Sequence, residues 1–342
     1  MTKAKKVVNM ITMIQKTICP FFGQCGGCLY QDLPEEDYLN KKISFIQRSF
    51  ADHGIDIKSE PVRSVPLHSR RRASFSFAGG RLGYNALKSH QIIEINSCFL
   101  LKHEIIQFLP VLRQSIKKLD GAGDVFILIT SFGLDIHIKT DRMVVPTLAQ
   151  LELLGELANH PQIVRLSYNG EPVAQKVRLP IMPDDFLQPS IEGERIIREL
   201  ILNEISGVRR AVDLFCGSGT FTVPLLERGI QATGYDCSHT ITLLGSKGMS
   251  RDLFRNPLLP DELSGLDLIV LDPPRAGAKA QVEQIAQTRV PKIIMVSCNP
   301  QTAARDSKIL IDSGRKIRSL TPIDQFKWSN HIELVIVFEE DK

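Results

Sequence analysis

The residue best placed for chemistry in this sequence is a cysteine, Cys298. It directly follows an apolar stretch, residues 291–296, that is typical of a buried β-strand, and it precedes Asn299 and Pro300. Reacting groups in open α/β sheets gather at the carboxyl ends of strands, and a thiol there that keeps access to water and a polarising partner ionises readily. Cys298 is therefore a candidate nucleophile. The alternative is a half-buried core cysteine, because free cysteines are among the most buried residues.

Three other strand ends come before Cys298 in the chain. Residues 210–226 predict a strand, a glycine-rich turn and a helix; a second strand ends at Asp236, and a third, residues 266–271, ends at Asp272. Asp236 is placed to bind ribose hydroxyls, although an Asp in such a position is also a common helix cap. The third glycine of the dinucleotide fingerprint is missing, which argues against nicotinamide. Together these strand ends predict one ligand crevice with Cys298 on its rim.

A carboxylate and a set of cysteines complete the candidate groups. Glu333 lies two residues after His331 and just ahead of a final apolar strand, residues 334–338, where it is either a proton acceptor or a solvated acid. Near the other end of the chain are four cysteines with the ligand types of an iron–sulfur or zinc site: Cys19, Cys25, Cys28 and Cys98. Their spacing leaves both metals open, whereas an odd total of seven cysteines argues against disulfides.

The motifs around these residues resemble those of one family over nearly the whole chain. They are residues 213–221 (DLFCGSGTF), 271–277 (LDPPRAG), 296–306 (VSCNPQTAARD) and 331–333 (HIE). In this order they resemble the RNA uracil-5-methyltransferases that use S-adenosylmethionine. The resemblance implies an α/β fold, with a Rossmann-like class I methyltransferase domain and a mainly β, iron–sulfur-bearing N-terminal and central domain.

The resemblance also implies roles for individual residues. Cys298 is the nucleophile and Glu333 the general base. Five positions match S-adenosylmethionine contacts: Gln188, Phe215, Thr220, Asp236 and Asp272. Asp236 is one methylene shorter than the family's usual Glu, so we expect its ribose contact to be looser or bridged by water.

The four cysteines distinguish two branches of that family. Its ribosomal-RNA members carry a 4Fe–4S cluster on this spacing, and its transfer-RNA members lack these cysteines. The resemblance therefore implies a cluster on Cys19, Cys25, Cys28 and Cys98 and 23S ribosomal RNA as the substrate. A transfer-RNA enzyme and a non-catalytic iron–sulfur RNA-binding protein are the alternatives. DNA cytosine methyltransferases place proline before their cysteine, whereas here Pro300 follows Cys298.

Composition and punctuation predict the organisation of the chain. With 43% apolar and 23% charged residues, its 342 residues suit a cytoplasmic enzyme of about two domains without a membrane span. We also expect it to act as a monomer. We expect an N-terminal extension (1–18), an iron–sulfur and RNA-binding region with a mainly β insert (19–185), and the methyltransferase domain (186–342). A linker with two prolines, residues 179–185, marks the last boundary.

The best candidate for an RNA phosphate contact is a run of three arginines, Arg70, Arg71 and Arg72. Guanidinium groups fit phosphate oxygens, although a solvated strand face is an equal alternative. The net charge of +4 permits RNA binding without requiring it. Because a target base must leave its stack to reach Cys298, single-stranded or looped RNA is favoured.

Overall fold

The computed structural model of the chain describes residues 17–141, 146–179, 187–238, 241, 245 and 247–341. Seven helices and fifteen strands lie in these residues, and the strands form one eight-stranded and one seven-stranded sheet. Apart from Leu179, the predicted linker at 179–185 lies outside the described residues, as does most of the predicted N-terminal extension.

The eight-stranded sheet is parallel except for one strand near its middle. Its members are β1 (Arg63–Ser64), β9 (Arg210–Leu214), β10 (Gln231–Asp236), β11 (Gly248–Ser250), β12 (Leu268–Leu271), β13 (Lys292–Ser297), β14 (Arg315–Asp324) and β15 (Glu333–Glu340). Their order is β1-β14-β15-β13-β12-β9-β10-β11, and only β15 runs antiparallel to its neighbours. The strands that precede Asp272 and Cys298 therefore end at the same edge.

Helices cover both faces of this sheet. The seven helices of the described residues, in both parts of the fold, are α1 (Glu35–Ala51), α2 (His103–Ile116), α3 (Leu148–Ala158), α4 (Ile191–Leu202), α5 (Thr222–Glu227), α6 (Lys279–Ile285) and α7 (Pro300–Asp312). α1, α6 and α7 pack on one face, and α4 and α5 on the other. All four residues of β12 are buried, as expected of a strand covered on both sides. The predicted α/β class is confirmed. Among the described residues, no helix has the length and apolar character needed to cross a bilayer.

One predicted strand begins later than its apolar pattern suggests. The stretch 266–271 forms a strand only from Leu268. The side chain of Asp267 instead accepts hydrogen bonds from the backbone N–H groups of Arg209 and Arg210, at 2.8 and 2.9 Å. A side chain that binds backbone donors locally competes with ladder pairing at that position.

The seven-stranded sheet has helices on one face. It contains β2 (Arg72–Ala78), β3 (Arg81–Asn85), β4 (Ile92–Ile93), β5 (Ala122–Ile129), β6 (Leu134–Thr140), β7 (Ile163–Tyr168) and β8 (Glu171–Gln175), in the order β4-β3-β2-β5-β6-β7-β8. Buried and part-buried residues alternate along most of β5, and the buried ones pack against α2 and α3.

Two N-terminal elements are built into the eight-stranded half of the fold: β1 is a strand of the sheet, and α1 packs on its face. β1 pairs in parallel with β14, so that Arg63 lies opposite Ile323. Ile46 and Phe50 of α1 are fully buried in the core beside β9 and β12. This sheet therefore takes residues from both sides of the predicted boundary at 185, and the division into domains stays a prediction.

Candidate active site

The carboxyl ends of four strands bring the predicted site residues together. Phe215 follows β9, Asp236 ends β10, Asp272 follows β12 and Cys298 follows β13. Helix α7 begins two residues beyond Cys298, where the side chain of Asn299 accepts a hydrogen bond from the backbone of Gln301 and Pro300 occupies the first turn. An asparagine cap followed by proline is a strong helix start, so this local sequence fixes the position of Cys298.

These residues line one cavity of about 500 Å³. Its lining includes every residue for which a role as nucleophile, base or cofactor contact was predicted: Gln188, Phe215, Thr220, Asp236, Asp272, Cys298 and Glu333. Volumes of this order hold small ligands in proteins. The rings of Phe215 and Phe254 also face the cavity, 5.3 Å apart, and give it apolar walls that suit a flat base.

The glycine-rich turn after β9 is held by Asp236. Its two carboxylate oxygens accept hydrogen bonds from the backbone N–H groups of Gly217, at 2.9 Å, and Ser238, at 2.7 Å. Phe215 takes up a left-handed backbone conformation with φ of 61°, which costs energy for a residue other than glycine. In the described structure Asp236 thus fixes the turn, and its ribose contact stays a prediction.

The thiol of Cys298 is half-buried and faces negative charge. Burial raises its pKa to about 11, Glu333 and Asp272 add to the rise, and Arg275 opposes it. In the chain alone the protonated thiol is therefore favoured, chiefly because the side chain is half-buried and secondly because two carboxyl groups share its cavity. Arg275, on the same cavity wall, is the cationic side chain that favours the thiolate.

Glu333 belongs to a buried chain of hydrogen bonds. It is 3% exposed, and its Oε2 atom accepts a hydrogen bond of 2.8 Å from Nε2 of Gln325. The same amide nitrogen donates to Oε1 of Gln188 at 2.8 Å, and Gln188 donates to Oδ2 of Asp272 at 3.2 Å. Burial raises the pKa of Glu333, and the charge of Asp272 raises it further. A carboxyl group whose pKa is raised toward neutrality can accept a proton at neutral pH.

Gln325 was missed in the sequence, although one signal was available. It directly follows the last residue of β14, which runs in the same direction as β13. Asp272 and Cys298 were identified because each directly follows a predicted strand. Applied to β14, the same criterion identifies Gln325.

A buried ion pair holds the loop that carries Gln325 and His331. We call residues 325–332 the β14–β15 loop. Nζ of Lys42, in α1, contacts Oδ1 of Asp324 and donates to the carbonyl oxygens of Phe326 (3.2 Å) and His331 (2.7 Å). The hydroxyl group of Tyr38 donates to Oδ2 of Asp324 at 2.6 Å. Both ends of the loop are thus fixed by α1.

Replacing Lys42 with alanine is expected to lower the free energy of unfolding by about 3–5 kcal/mol, because it leaves Asp324 charged, buried and without its cationic partner. Urea unfolding followed by circular dichroism measures the change. Lys41→Ala is the matched control, since this exposed lysine precedes Lys42 in the same helix. It should change stability by no more than about 0.5 kcal/mol. Equal unfolding midpoints for the two variants would contradict the role of the ion pair.

Residues 19–30, which carry the first three cysteines and which we call the cysteine segment, contact the same loop. Leu29 and Tyr30 donate backbone hydrogen bonds to the carbonyl oxygen of Trp328, at 2.7 and 3.2 Å. The Trp328 side chain packs with Tyr38 and Leu100 in an apolar cluster that also includes Cys28 and Cys98. The cysteine segment therefore supports the β14–β15 loop directly.

The four N-terminal cysteines are half-buried, and none of them forms a disulfide bond. Burial raises the pKa of Cys28 to about 12, and the charges of Cys98, Cys25 and Cys19 add to the rise, as expected of thiols that lie near one another. The backbone N–H of Gly27 donates to Sγ of Cys25 at 3.4 Å. Within the described ranges, no three His, Cys, Asp or Glu side chains are arranged to hold a metal ion. Both the cluster and its ligands stay predictions.

The three adjacent arginines are held differently. Arg71 pairs with Glu194 and donates to the carbonyl oxygen of Gln188 at 2.9 Å, and Arg72 donates to that of Leu187 at 3.0 Å. Arg70 instead lies over the ring of Phe326, 5.7 Å from its centre. Two arginines thus bind the segment that carries Gln188, and Arg70 lies beside the cavity. Contact of any of them with RNA stays a prediction.

Comparison with known proteins agrees with this geometry. A family model described as tRNA (Uracil-5-)-methyltransferase matches residues 262–341. A protein of Brucella suis biovar 1, named as an uncharacterized RNA methyltransferase, is 36% identical to this chain, over 96% of the chain and 85% of the relative. A Caulobacter vibrioides protein with the same description is 33% identical, over 94% and 85%.

Two further relatives carry more specific names. A Pectobacterium atrosepticum protein named as 23S rRNA (uracil(1939)-C(5))-methyltransferase is 28% identical, over 99% of this chain and 83% of the relative. The crystal structure of the Pyrococcus abyssi tRNA (uracil-54, C5)-methyltransferase with S-adenosyl-L-homocysteine superposes with a TM-score of 0.66 and 21% identity, over 91% of this chain and 85% of that one. The structural match shows a shared fold.

Proposed function

Because the chain belongs to the RNA uracil-5-methyltransferase family, whose enzymes depend on S-adenosylmethionine, we propose that it methylates carbon 5 of one uridine in 23S ribosomal RNA through a covalent bond from Cys298 to the uracil ring. One observation carries the proposal. A single cavity gathers a thiol, a buried carboxyl group and the five residues predicted to contact the cofactor.

The chemistry requires both the thiol and the carboxyl group. Carbon 5 of uracil is a poor nucleophile, and addition of the Cys298 thiolate to carbon 6 turns the ring into an enolate that is nucleophilic at carbon 5. S-adenosylmethionine supplies an electrophilic methyl group on a positively charged sulfur. After methylation, Glu333 takes the carbon-5 proton, the freed electron pair forms the bond between carbons 5 and 6, and Cys298 leaves as a thiolate.

The surroundings of Cys298 and Glu333 support these roles. Arg275, on the cavity wall, favours the thiolate that the reaction needs, and the positively charged sulfur of S-adenosylmethionine would favour it further. The buried Glu333 carboxyl lines the same cavity as the thiol, and its raised pKa suits it to accept a proton there. We propose that Gln188, Phe215, Thr220, Asp236 and Asp272 hold the cofactor along the remaining wall.

Ribosomal RNA is the proposed substrate because of the four N-terminal cysteines and the name of the Pectobacterium relative. The measurement that tests it is mass mapping of 5-methyluridine in RNA from cells with and without the gene. Loss of one methylated uridine from 23S RNA is the expected result. Loss from transfer RNA alone would replace the substrate while leaving the chemistry unchanged.

We further propose that Cys19, Cys25, Cys28 and Cys98 hold a 4Fe–4S cluster. Four irons form a body larger than one ion, so their thiolates stand farther apart than those around zinc. The four thiols are half-buried and lie close enough to influence one another's pKa, which a shared cluster requires. The N–H group of Gly27 near Sγ of Cys25 is suited to a thiolate ligand. The cluster would organise this segment for RNA binding without a redox step in methyl transfer.

Protein purified without oxygen should be brown, with about four irons per chain. Cys25→Ser should lose iron and RNA affinity, because the segment loses the centre that orders it, while the chain keeps its affinity for S-adenosylmethionine. Iron analysis, RNA binding and cofactor binding are measured on the same preparation. Cys237→Ser is the control for iron content, since Cys237 lines the cavity and is not one of the predicted cluster ligands. Stoichiometric zinc without iron, or unchanged RNA affinity in Cys25→Ser, would contradict the proposal.

The oligomeric state and the RNA-binding surface are also part of the proposal. We propose a monomer, because one chain supplies the thiol, the carboxyl group and the cofactor contacts. We also propose that the seven-stranded sheet and the cysteine segment present RNA to the cavity, with Arg70 at its edge and Arg71 and Arg72 holding the Gln188 segment.

A further inference from the structure

Gln325 occupies a position that is shaped around its side chain. It is 2% exposed, and its amide lies against the first turn of α4. A Cβ atom at Gly193 would come within 2.4 Å of Oε1 of Gln325 and 3.1 Å of its Cβ. Glycine at 193 therefore makes room for this amide.

The Gln325 amide is only half satisfied. Its nitrogen donates to both Glu333 and Gln188, whereas Oε1 is buried and has no hydrogen-bond partner among the described residues. A buried acceptor without a donor costs free energy, and methionine would fill a similar volume without that cost. A polar group kept under these conditions points to a role in the site.

We propose that Gln325 is a positioning residue for the reaction proposed above: its N–H group holds the ionised Glu333 carboxylate toward the target base, and its amide turns to present Oε1 once Glu333 carries the proton. The inference rests on the proposed role of Glu333. Because the two ends of an amide are nearly the same size, the turn needs no repacking.

The turn has a defined cause in the proton transfer. Before transfer, Oε2 of Glu333 accepts from Gln325. After the carbon-5 proton has moved to the carboxylate, Glu333 is a weaker acceptor and has become a donor, and rotation of the amide lets it donate to Oε1 of Gln325. The turn also replaces the donor that Gln188 receives from Gln325 with an acceptor, so Gln188, on the predicted cofactor wall, must turn as well and responds to the state of the base.

Several charged groups share the cavity with Glu333. Asp272 follows β12, Cys298 and Arg275 lie on the walls formed after β13 and β12, and His331 is in the β14–β15 loop. The pKa of Glu333 is raised by burial and by Asp272, and the hydrogen bond from Gln325 opposes this rise. Removing the Gln325 donor should therefore raise the pKa of Glu333 further, so that a higher pH is needed to ionise it.

The test is Gln325→Met, followed in single turnovers with RNA tritiated at carbon 5 of uridine. Tritium release at pH 7 should slow about tenfold or more, and its acid limb should move to higher pH by about one unit, because a tenfold change corresponds to one pKa unit. Raising the pH should restore the rate. Covalent capture of 5-fluorouridine RNA, which does not need proton removal, should remain within about threefold of wild type.

A second variant keeps the test informative if Gln325→Met folds poorly. Gly193→Ala leaves Gln325 in the sequence but displaces its amide, and it should shift the acid limb in the same direction. Wild-type tritium release at every pH in either folded variant would overturn the inference. So would a slowdown equal at all pH values, which indicates a general loss of structure. Normal tritium release in Glu333→Gln would instead refute the proposed base, which separates the two failures.

Discussion

Cys298→Ala is expected to lose methyl transfer by roughly 10⁴-fold or more, a loss typical of removing a catalytic nucleophile. The reason is chemical: without addition to carbon 6, carbon 5 of uracil has no enolate character with which to attack the methyl group. The assay is transfer of labelled methyl from S-adenosylmethionine to RNA transcripts, with cofactor binding measured in parallel. Binding should persist, because the other residues that line the cavity are unchanged.

Covalent capture tests the same assignment without depending on turnover. RNA that contains 5-fluorouridine should form a conjugate with the wild-type protein that survives denaturation, because fluorine cannot leave as a proton. Cys298→Ala should form none. Cys237→Ala is the matched control, since this exposed cysteine also lines the cavity and should leave the conjugate intact. If Cys298→Ala still captured RNA and Cys237→Ala did not, the nucleophile would be reassigned.

Glu333→Gln should stop the reaction after methyl transfer. The amide preserves the size of the side chain but cannot take the carbon-5 proton, so the methylated ring should remain bonded to Cys298. Multiple turnover should fall by roughly 10²–10⁴-fold, the usual contribution of a positioned general base. Mass spectrometry of the denatured protein should find RNA attached with its methyl group in place.

Glu340→Gln is the matched control for this prediction. Glu340 lies at the far end of the same strand, β15, away from the cavity, and its change should leave turnover near that of wild type. An adduct without the methyl group in Glu333→Gln would place the block before methyl transfer. Normal turnover would show that water or another residue removes the proton.

The local sequence predicts much of this site because strand ends are locally encoded. An apolar run followed by a breaker identified the positions of Asp272 and Cys298, and the alternation of strands and helices identified the α/β class. The contents of the cavity then followed from one geometric rule, that parallel strands end at one edge. Glu333 fitted the same region only through the family resemblance, since an acid before a strand is ordinary on its own.

Other features depend on contacts that no local pattern contains. The burial of Gln325 depends on the missing Cβ of Gly193, far away in the sequence. In the sequence Arg71 and Arg72 form part of a run of positive charge typical of a surface, but in the structure they donate hydrogen bonds to the segment that carries Gln188. The raised pKa of Cys298 arises first from burial and then from carboxyl groups on two other elements. Each of these features depends on contacts between residues that are far apart in the sequence, so no local sequence pattern predicts it.

The pairing of α1 with the β14–β15 loop has a consequence for synthesis of the protein. The hydrogen bonds of Tyr38 and Lys42 to Asp324 join residues 286 and 282 positions apart. At about 5–20 residues per second, roughly 15–60 s separate translation of these two regions. During that interval the residues that the buried face of α1 contacts have not been synthesised, and neither has β15, which lies between β13 and β14. A nascent chain therefore cannot assemble the proposed catalytic centre until β15 has been synthesised, and a product truncated before Glu333 lacks the proposed base.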